Sequence, residues 1–289
     1  MALYTQRLQQ HLSLVEQHLC EYLPQGDGVE AVMRYACDGG GKRIRPVLLL
    51  ECCRLCGGDV NEALPFAAAI EYIHSYSLVH DDLPCMDNSP LRRGKPSAHA
   101  KYGETMALLA GDALLNRAFE VMLSAKTAHP TRALRAAATL ADNAGVAGMI
   151  GGQVLDLESE GKTIDLSTLK RLQEGKTAAL LTAACRMGAI LGGGTDEQVD
   201  RAGRYGYYLG LAFQVVDDLL DVTATAEQLG KPVGSDEQNE KSTYVSLLGI
   251  DAAHKLAQEY TEQAVSALGE FDEHDDLRQL AEALLTRTH

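Results

Sequence analysis

Two stretches place three aspartates where mutual repulsion should keep them apart. "LVHDDLPCMD" (78–87) holds Asp81, Asp82 and Asp87, and "FQVVDDLLD" (213–221) holds Asp217, Asp218 and Asp221. Each set ends an apolar run, which places it at the end of a buried helix rather than on a solvated one. Like charges on one helical edge are destabilising unless a cation sits among them. Both sets offer only oxygen ligands. That suits a hard ion that keeps waters and binds through one or two carboxylates plus substrate phosphate, namely Mg²⁺.

The two sets reach a common face differently. A helical residue turns about 100°, so Asp217 and Asp221 share a face and Asp218 sits a quarter turn away. Asp87 is six residues from Asp81, which a straight helix does not align. Pro84 lacks an N–H and disturbs the preceding turn, so the helix should kink or end near residue 83. The chain can then curl Asp87 back toward Asp81.

Cations accompany the acids. "GGGKRIRP" (39–46) places Lys42 and Arg45 three apart at a predicted helix start, on one face and beside backbone N–H groups. "LRRGKP" (91–96) follows the first acidic set with Arg92, Arg93 and Lys95; Lys176, Lys231 and Lys241 are further candidates. Arginine is the better fork for phosphate oxygens. Beside two acidic sets in an acidic chain, these groups read as diphosphate binders.

The elements that must position them are helices. Leu8, Leu12, Val15, Leu19 and Tyr22 step by three or four, an amphipathic stripe closed by Pro24. Further helical patterns cover about 43–56, 61–83, 104–127, 131–148, 165–191, 197–224 and 251–286, punctuated by glycine runs. Alternating strand patterns are missing and no low-complexity linker divides the chain. The expected fold is all-α, a single domain over 1–289 built as one large helical bundle. The polar segment 225–241, with Lys231 and Lys241, is expected to be a loop acting as a lid.

Composition sets limits on partners. The 289 residues carry a net charge of −14, against the basic footprint a nucleic-acid surface needs. "TAALLTAACRMGAILGGG" (177–194) approaches the length of a membrane span, but Arg186 in its middle would be costly in lipid. A buried helix and no membrane span are expected. The seven cysteines follow no disulfide framework, and nothing at the N-terminus resembles a signal peptide. Cys53 and Cys56 form a C-x-x-C without a second Cys/His pair, so they read as small hydrophobes in a reducing cytoplasm rather than as a zinc site.

The chain resembles the trans-isoprenyl diphosphate synthases, and within them the bacterial farnesyl diphosphate synthases. The resemblance runs from about Gly39 to Tyr244. It is carried by "GGKRIRP", "HSYSLVHDDLPCMDNSPLRRGKPSAH", "KYGE", "LLAGDALL", "GMIGGQVLDLESEG", "GKTAALL", "FQVVDDLLD" and "GKPVGSDEQNEKSTY". One aspartate pair would be a weak signal; the ordered set is specific. It implies the isoprenoid synthase type I fold, helices around a central cavity.

The resemblance also implies roles. Asp81, Asp82 and Asp87 would bind two Mg²⁺ on the allylic diphosphate, mainly through Asp81 and Asp87. Asp217, Asp218 and Asp221 would hold a third, chiefly through Asp217. Lys42, Arg45, His74 and Arg93 match the isopentenyl diphosphate site. Arg92, Lys176, Lys231 and Lys241 match groups on the allylic diphosphate. Thr177 and Gln214 match polar groups near the reacting carbons; with Lys176 and Lys231 they form the implied catalytic set. The implied substrates are isopentenyl, dimethylallyl and geranyl diphosphate, and the implied assembly is a homodimer. Ser89 and Pro90 stand where many relatives have two further aspartates, for which weaker outer electrostatics are expected.

Product length is the finest of these expectations. Helical geometry puts Ser77 nearer the Asp81 face than Tyr76. The resemblance instead selects Tyr76, a bulky aromatic five before the motif, as the stop for a farnesyl product. A geranylgeranyl diphosphate synthase shares nearly every motif. A terpene cyclase has no need of Lys42 and Arg45, and a non-catalytic partner subunit would be expected to lose aspartates or arginines that this chain keeps.

Overall fold

The structure, a computed structural model, describes residues 3–38, 40–223 and 242–287. The expected lid at 225–241, with Lys231 and Lys241, lies outside them. In chain order come α1 (Gln6–Leu19), α2 (Val29–Cys37), α3 (Ile44–Leu55) and α4 (Val60–Asp81). A two-stranded hairpin, β1 (Leu91–Arg92) with β2 (Lys95–Pro96), precedes α5 (Ala98–Tyr102), α6 (Glu104–Leu123), α7 (Pro130–Ala144), α8 (Met149–Ser159) and α9 (Leu166–Gln173). A π-turn at Glu174–Ala178 joins α9 to α10 (Ala179–Gly192), and α11 (Asp196–Thr223) follows. The chain closes with α12 (Tyr244–Leu248), α13 (Ile250–Ala267), a 3₁₀ turn (Leu268–Glu270) and α14 (Asp275–Leu285).

The all-α expectation holds, with three corrections to the elements. The pattern over 165–191 is two helices joined by the π-turn. That over 251–286 is broken by the 3₁₀ turn, and that over 131–148 ends at Gly145. Past Gly145 the apolar stripe stops, since Val146 is exposed; across the 3₁₀ turn it continues, with Ala264 and Ala267 before it and Leu277 and Leu280 after it in one core.

Helices α3, α4, α10 and α11 form the centre. α4 buries Ala67, Ala68, Ala69, Ile70, Tyr72 and Ile73, and α10 buries Leu180, Ala183, Ala184 and Met187. A helix apolar all round belongs inside a large protein. Arg186 leaves that interior by pairing with Asp200 at 3.2 Å. No described helix is long and apolar enough to cross a membrane. Cys52 and Cys53 are buried on α3, and all seven cysteines are free thiols.

The hairpin follows from its loop. Arg93 and Gly94 both take positive φ, 53° and 75°, the pair of conformations that a two-residue turn between antiparallel strands requires. The turn points back at the glycine loop before α3: Arg93 donates a hydrogen bond to the Gly40 carbonyl.

Candidate active site

One cavity of about 850 Å³ opens between the start of α3, the C-terminal half of α4, α8, the π-turn and α11. Asp81, Asp87, Asp217, Lys42, Arg45, His74, Arg92, Arg93, Lys176, Thr177, Gln214, Tyr76 and Ser77 all line it. Met86, Met149, Ile150, Val154, Leu157 and Phe213 supply apolar wall. Residues from across the chain thus meet around one space, as the spacing and the resemblance led us to expect.

The first aspartate set is built by ending a helix. α4 stops at Asp81, and the Asp87 N–H donates to the Asp81 carbonyl at 2.9 Å. That bond closes the curl expected from Pro84 and puts both carboxylates on the cavity. Asp82 goes the other way. It is 2% exposed and accepts a forked contact from Arg92, with Nη2 to Oδ1 at 2.6 Å. Asp82 is absent from the cavity lining, so its carboxylate holds the hairpin rather than the open face of the site. Burial pushes the Asp81 carboxyl up to about 6. Lys176 and Arg92 oppose the rise; Asp87 and Asp82 add to it.

The second set is built within a helix. Asp217 faces the cavity, where Arg287 Nη2 donates to its Oδ1 at 2.6 Å. Arg287 also donates to the Phe213 carbonyl at 3.0 Å and stacks on the Phe213 ring, 3.9 Å from its centroid. The sequence reading missed Arg287, which follows the last helix and carries no motif. Asp218 is 3% exposed and accepts from the Tyr244 N–H at 2.8 Å. Asp221 is 3% exposed and does not line the cavity. Sharing a helical face with Asp217 puts it one turn further along, past the wall. That corrects the expectation of three carboxylates on one open edge.

Among the described residues no three His, Cys, Asp or Glu side chains converge into a ready-made cage. Asp81, Asp87 and Asp217 instead offer hard oxygens from two walls of one cavity. That donor set fits a cation that takes one or two carboxylates and completes its shell with water and diphosphate.

The cationic wall starts before α3. Lys42 is not on the helix, contrary to the expected shared face with Arg45. Arg43 at the N-cap has φ 48°, which ends the helical path and leaves Lys42 in the preceding loop. Both side chains still reach the cavity. Arg43, also missed from sequence, is buried and bridges Glu71 and Glu16, each at 2.8 Å. It anchors the segment between Lys42 and Arg45. Burial, then Arg287, holds Lys42 below the ordinary lysine value, while Asp217 pulls it up. Burial chiefly lowers Arg45 as well, and its Nε has no hydrogen-bond partner. His74, two turns before Asp81 on α4, faces the same group. Burial and the Arg45, Arg93, Arg43 and Arg92 charges hold it well below its usual value, so it is a neutral imidazole at pH 7.

The π-turn presents Lys176 and Thr177. Here two glycines matter. A Cβ on Gly152 would lie 2.1 Å from the Lys176 nitrogen, and one on Gly175 would lie 2.7 Å from the Gly152 Cα. Only bare backbone lets α8 touch the turn so closely. That contact brings Asp156, unforeseen in the sequence, to Lys176 Nζ at 2.6 Å. Single π-turns inside helices frequently mark functional sites. Thr177 Oγ1 donates to Gln214 Oε1 at 3.3 Å, and Gln214 Nε2 donates to Asp218 at 3.1 Å. Asp218 therefore fixes the Gln214 amide with its oxygen toward Thr177.

Comparison with known proteins gives a consistent picture. The polyprenyl synthetase family matches residues 27–284. The chain is 49% identical over 260 residues to a dimethylallyltranstransferase of Fischerella ambigua (strain UTEX 1903), covering 89% of this chain and 75% of that protein. It is 47% identical over 246 residues to a chloroplastic geranylgeranyl pyrophosphate synthase of Capsicum annuum, covering 84% and 67%. Among solved structures, an FPP/GFPP synthase from Zymomonas mobilis superposes with a TM-score of 0.86 at 39% identity, covering 96% of this chain and 97% of that one. A geranylgeranyl pyrophosphate synthetase from Pyrococcus horikoshii superposes at 0.90 with 32% identity, covering 97% of both. An acid-and-base-lined cavity within this helical fold is accounted for by that kinship: the chain belongs to the polyprenyl synthetase family and is a prenyltransferase.

Proposed function

We propose that this prenyltransferase condenses dimethylallyl and then geranyl diphosphate with isopentenyl diphosphate and stops at farnesyl diphosphate. The observation that carries the reading is that one cavity gathers both acids and bases. Asp81, Asp87, Asp217 and Lys176 line it together with Lys42, Arg45, His74 and Arg93, and apolar side chains complete the wall.

Each group then has work to do. Breaking the allylic C–O bond moves negative charge onto the departing diphosphate, and charge that develops in the transition state is best met by preorganised cations. Mg²⁺, held by Asp81, Asp87 and Asp217, would supply Lewis-acid neutralisation of that charge. Lys176, oriented by Asp156, and Arg92, oriented by Asp82, donate to the same oxygens. Lys42, Arg45 and Arg93 hold the diphosphate of isopentenyl diphosphate, which does not leave. Neutral His74 adds a donor without further repulsion among these arginines. Thr177 and the Gln214 amide oxygen present dipoles to the allylic cation without a nucleophile that would capture it. The double bond of isopentenyl diphosphate attacks, and the new cation loses a proton to the released pyrophosphate. The apolar wall keeps out water, which would otherwise quench the cation.

Farnesyl rather than geranylgeranyl product rests on Tyr76, which is 5% exposed and faces the cavity. Relatives named as geranylgeranyl pyrophosphate synthases support the longer product as the runner-up. Product analysis with Mg²⁺, isopentenyl diphosphate and each allylic primer separates the two. Wild-type protein should accumulate the fifteen-carbon product, and Tyr76→Ser should shift it toward twenty carbons. A wild type that makes mainly the twenty-carbon product overturns Tyr76 as the stop. The homodimer belongs to the same proposal. Exposed Leu108 and Leu109 on α6 give a second copy an apolar surface to cover, and light scattering after gel filtration reads it out.

A further inference from the structure

One turn along α4 from Tyr76, next to Asp81, stands His80, also in the cavity wall. The two rings meet edge to face, 5.7 Å between centroids at 75°. His80 does not end in the cavity: its ring reaches across to α6. There Nε2 lies 3.0 Å from the Leu108 carbonyl. A carbonyl only accepts, so this nitrogen carries the proton. The ring fits there because position 111 has no side chain. A Cβ on Gly111 would lie 2.0 Å from Nε2 and 2.3 Å from Cδ2. Tyr76 has no comparable anchor, since its buried hydroxyl finds no partner.

We propose that His80 is a positioning residue for chain length: seated in the Gly111 notch and tied to Leu108, it braces the Tyr76 ring across the cavity floor. The proposal rests on the reading of Tyr76 as the stop and assigns the stop's firmness to a second helix. An aromatic ring held only by its own rotamer can swing aside under a growing chain. One backed by an anchored imidazole cannot move without dragging α6 with it. The depth of the cavity is then set by the spacing of α4 and α6 as well as by the side chain at position 76.

Two substitutions should move the product in opposite directions. His80→Ala removes the brace, so Tyr76 yields and longer product appears, at least a tenfold rise in the ratio of twenty- to fifteen-carbon diphosphate. Gly111→Ala fills the notch and drives the imidazole into the cavity it already lines, so the ten-carbon intermediate accumulates. In the His80→Ala/Gly111→Ala double variant there is no ring to expel, and the products should match those of His80→Ala alone. In a Tyr76→Ser background, His80→Ala should add no further lengthening, because nothing remains to brace. The experiment is the diphosphate product ladder from purified protein with Mg²⁺, isopentenyl and dimethylallyl diphosphate, beside a thermal melt of each variant. Should His80→Ala fail to fold, His80→Val reads the same lengthening in smaller measure. An unchanged ladder in both His80 variants overturns the inference while leaving the enzyme's function intact. Lengthening by His80→Ala that persists undiminished without Tyr76 overturns it too. A wild-type protein that yields no condensation product sinks the functional reading itself.

Discussion

The two aspartate sets look like copies in sequence, yet the fold uses them differently. In both, the first member, Asp81 or Asp217, faces the cavity. In both, the second member, Asp82 or Asp218, is nearly fully buried and spent on structure: Arg92 for one, Gln214 and the Tyr244 N–H for the other. They part at the third. Asp87 lines the cavity because the helix has ended and the chain curls back, whereas Asp221 stays on its helix and is buried a turn away. One set therefore presents two carboxylates to the cavity and the other one. The charge that a site can offer depends on where a helix stops as well as on how many acids it carries.

The strongest way to break this comparison is to remove the cavity-facing members. Asp81→Ala and Asp217→Ala should each lower kcat by about 10²–10³-fold or more, the scale of losing a transition-state charge partner. Far-ultraviolet circular dichroism should stay unchanged. Near-normal turnover in either variant with excess Mg²⁺ would remove the metal-binding role proposed for that set.

Next in size is the split between the diphosphates. Lys176→Ala should lower kcat by roughly 10-fold or more, since its target gains charge in the transition state. Arg45→Ala should mainly raise KM for isopentenyl diphosphate, because that diphosphate stays attached. Steady-state kinetics with each substrate varied in turn checks this, and a reversed pattern would exchange the two diphosphate assignments.

The buried second members sharpen the contrast. Asp82→Asn leaves Arg92 without its charge partner and should destabilise the fold by about 1–3 kcal/mol, between the values for an exposed and a fully buried pair because Arg92 is partly exposed. Its kcat should fall less than that of Asp81→Ala. Urea unfolding paired with kinetics decides it; a loss of turnover matching Asp81→Ala would make Asp82 a cavity group after all.

The smallest effect is in pH. Burial holds the Asp81 carboxyl up at about 6 in the folded chain, against about 3.9 when unfolded. Between those values the folded state binds more protons. Metal-free protein therefore loses stability as pH rises through that window, and the penalty is complete above about 6. Asp81→Asn should raise the Tm of metal-free protein at pH 7 by roughly 2–6 °C and leave it unchanged near pH 4. Melts in a chelator at both values test it; a difference that does not depend on pH removes burial of Asp81 as its cause.

The pattern of residues by itself made much of this protein legible. Apolar steps of three and four predicted the helices, because one helical face must be buried. Pro84 predicted the end of α4 and the return of Asp87, because a ring without an N–H cannot continue the ladder. The acidic sets, read with the lysines and arginines, pointed to a hard cation and a diphosphate, and the family resemblance supplied the prenyl transfer. What the sequence could not show depended on partners distant along the chain. Arg287 reaches Asp217 from 70 positions away, and Asp156 reaches Lys176 only because Gly152 and Gly175 let two backbones touch. Neither pair leaves a periodic trace. The orientation of a carboxylate is set by its nearest donors, and those donors come from other helices. Spacing along a helix shows which residues can share a face. Only packing decided that Asp82 and Asp218 would serve the fold and that Asp81 and Asp217 would face the cavity.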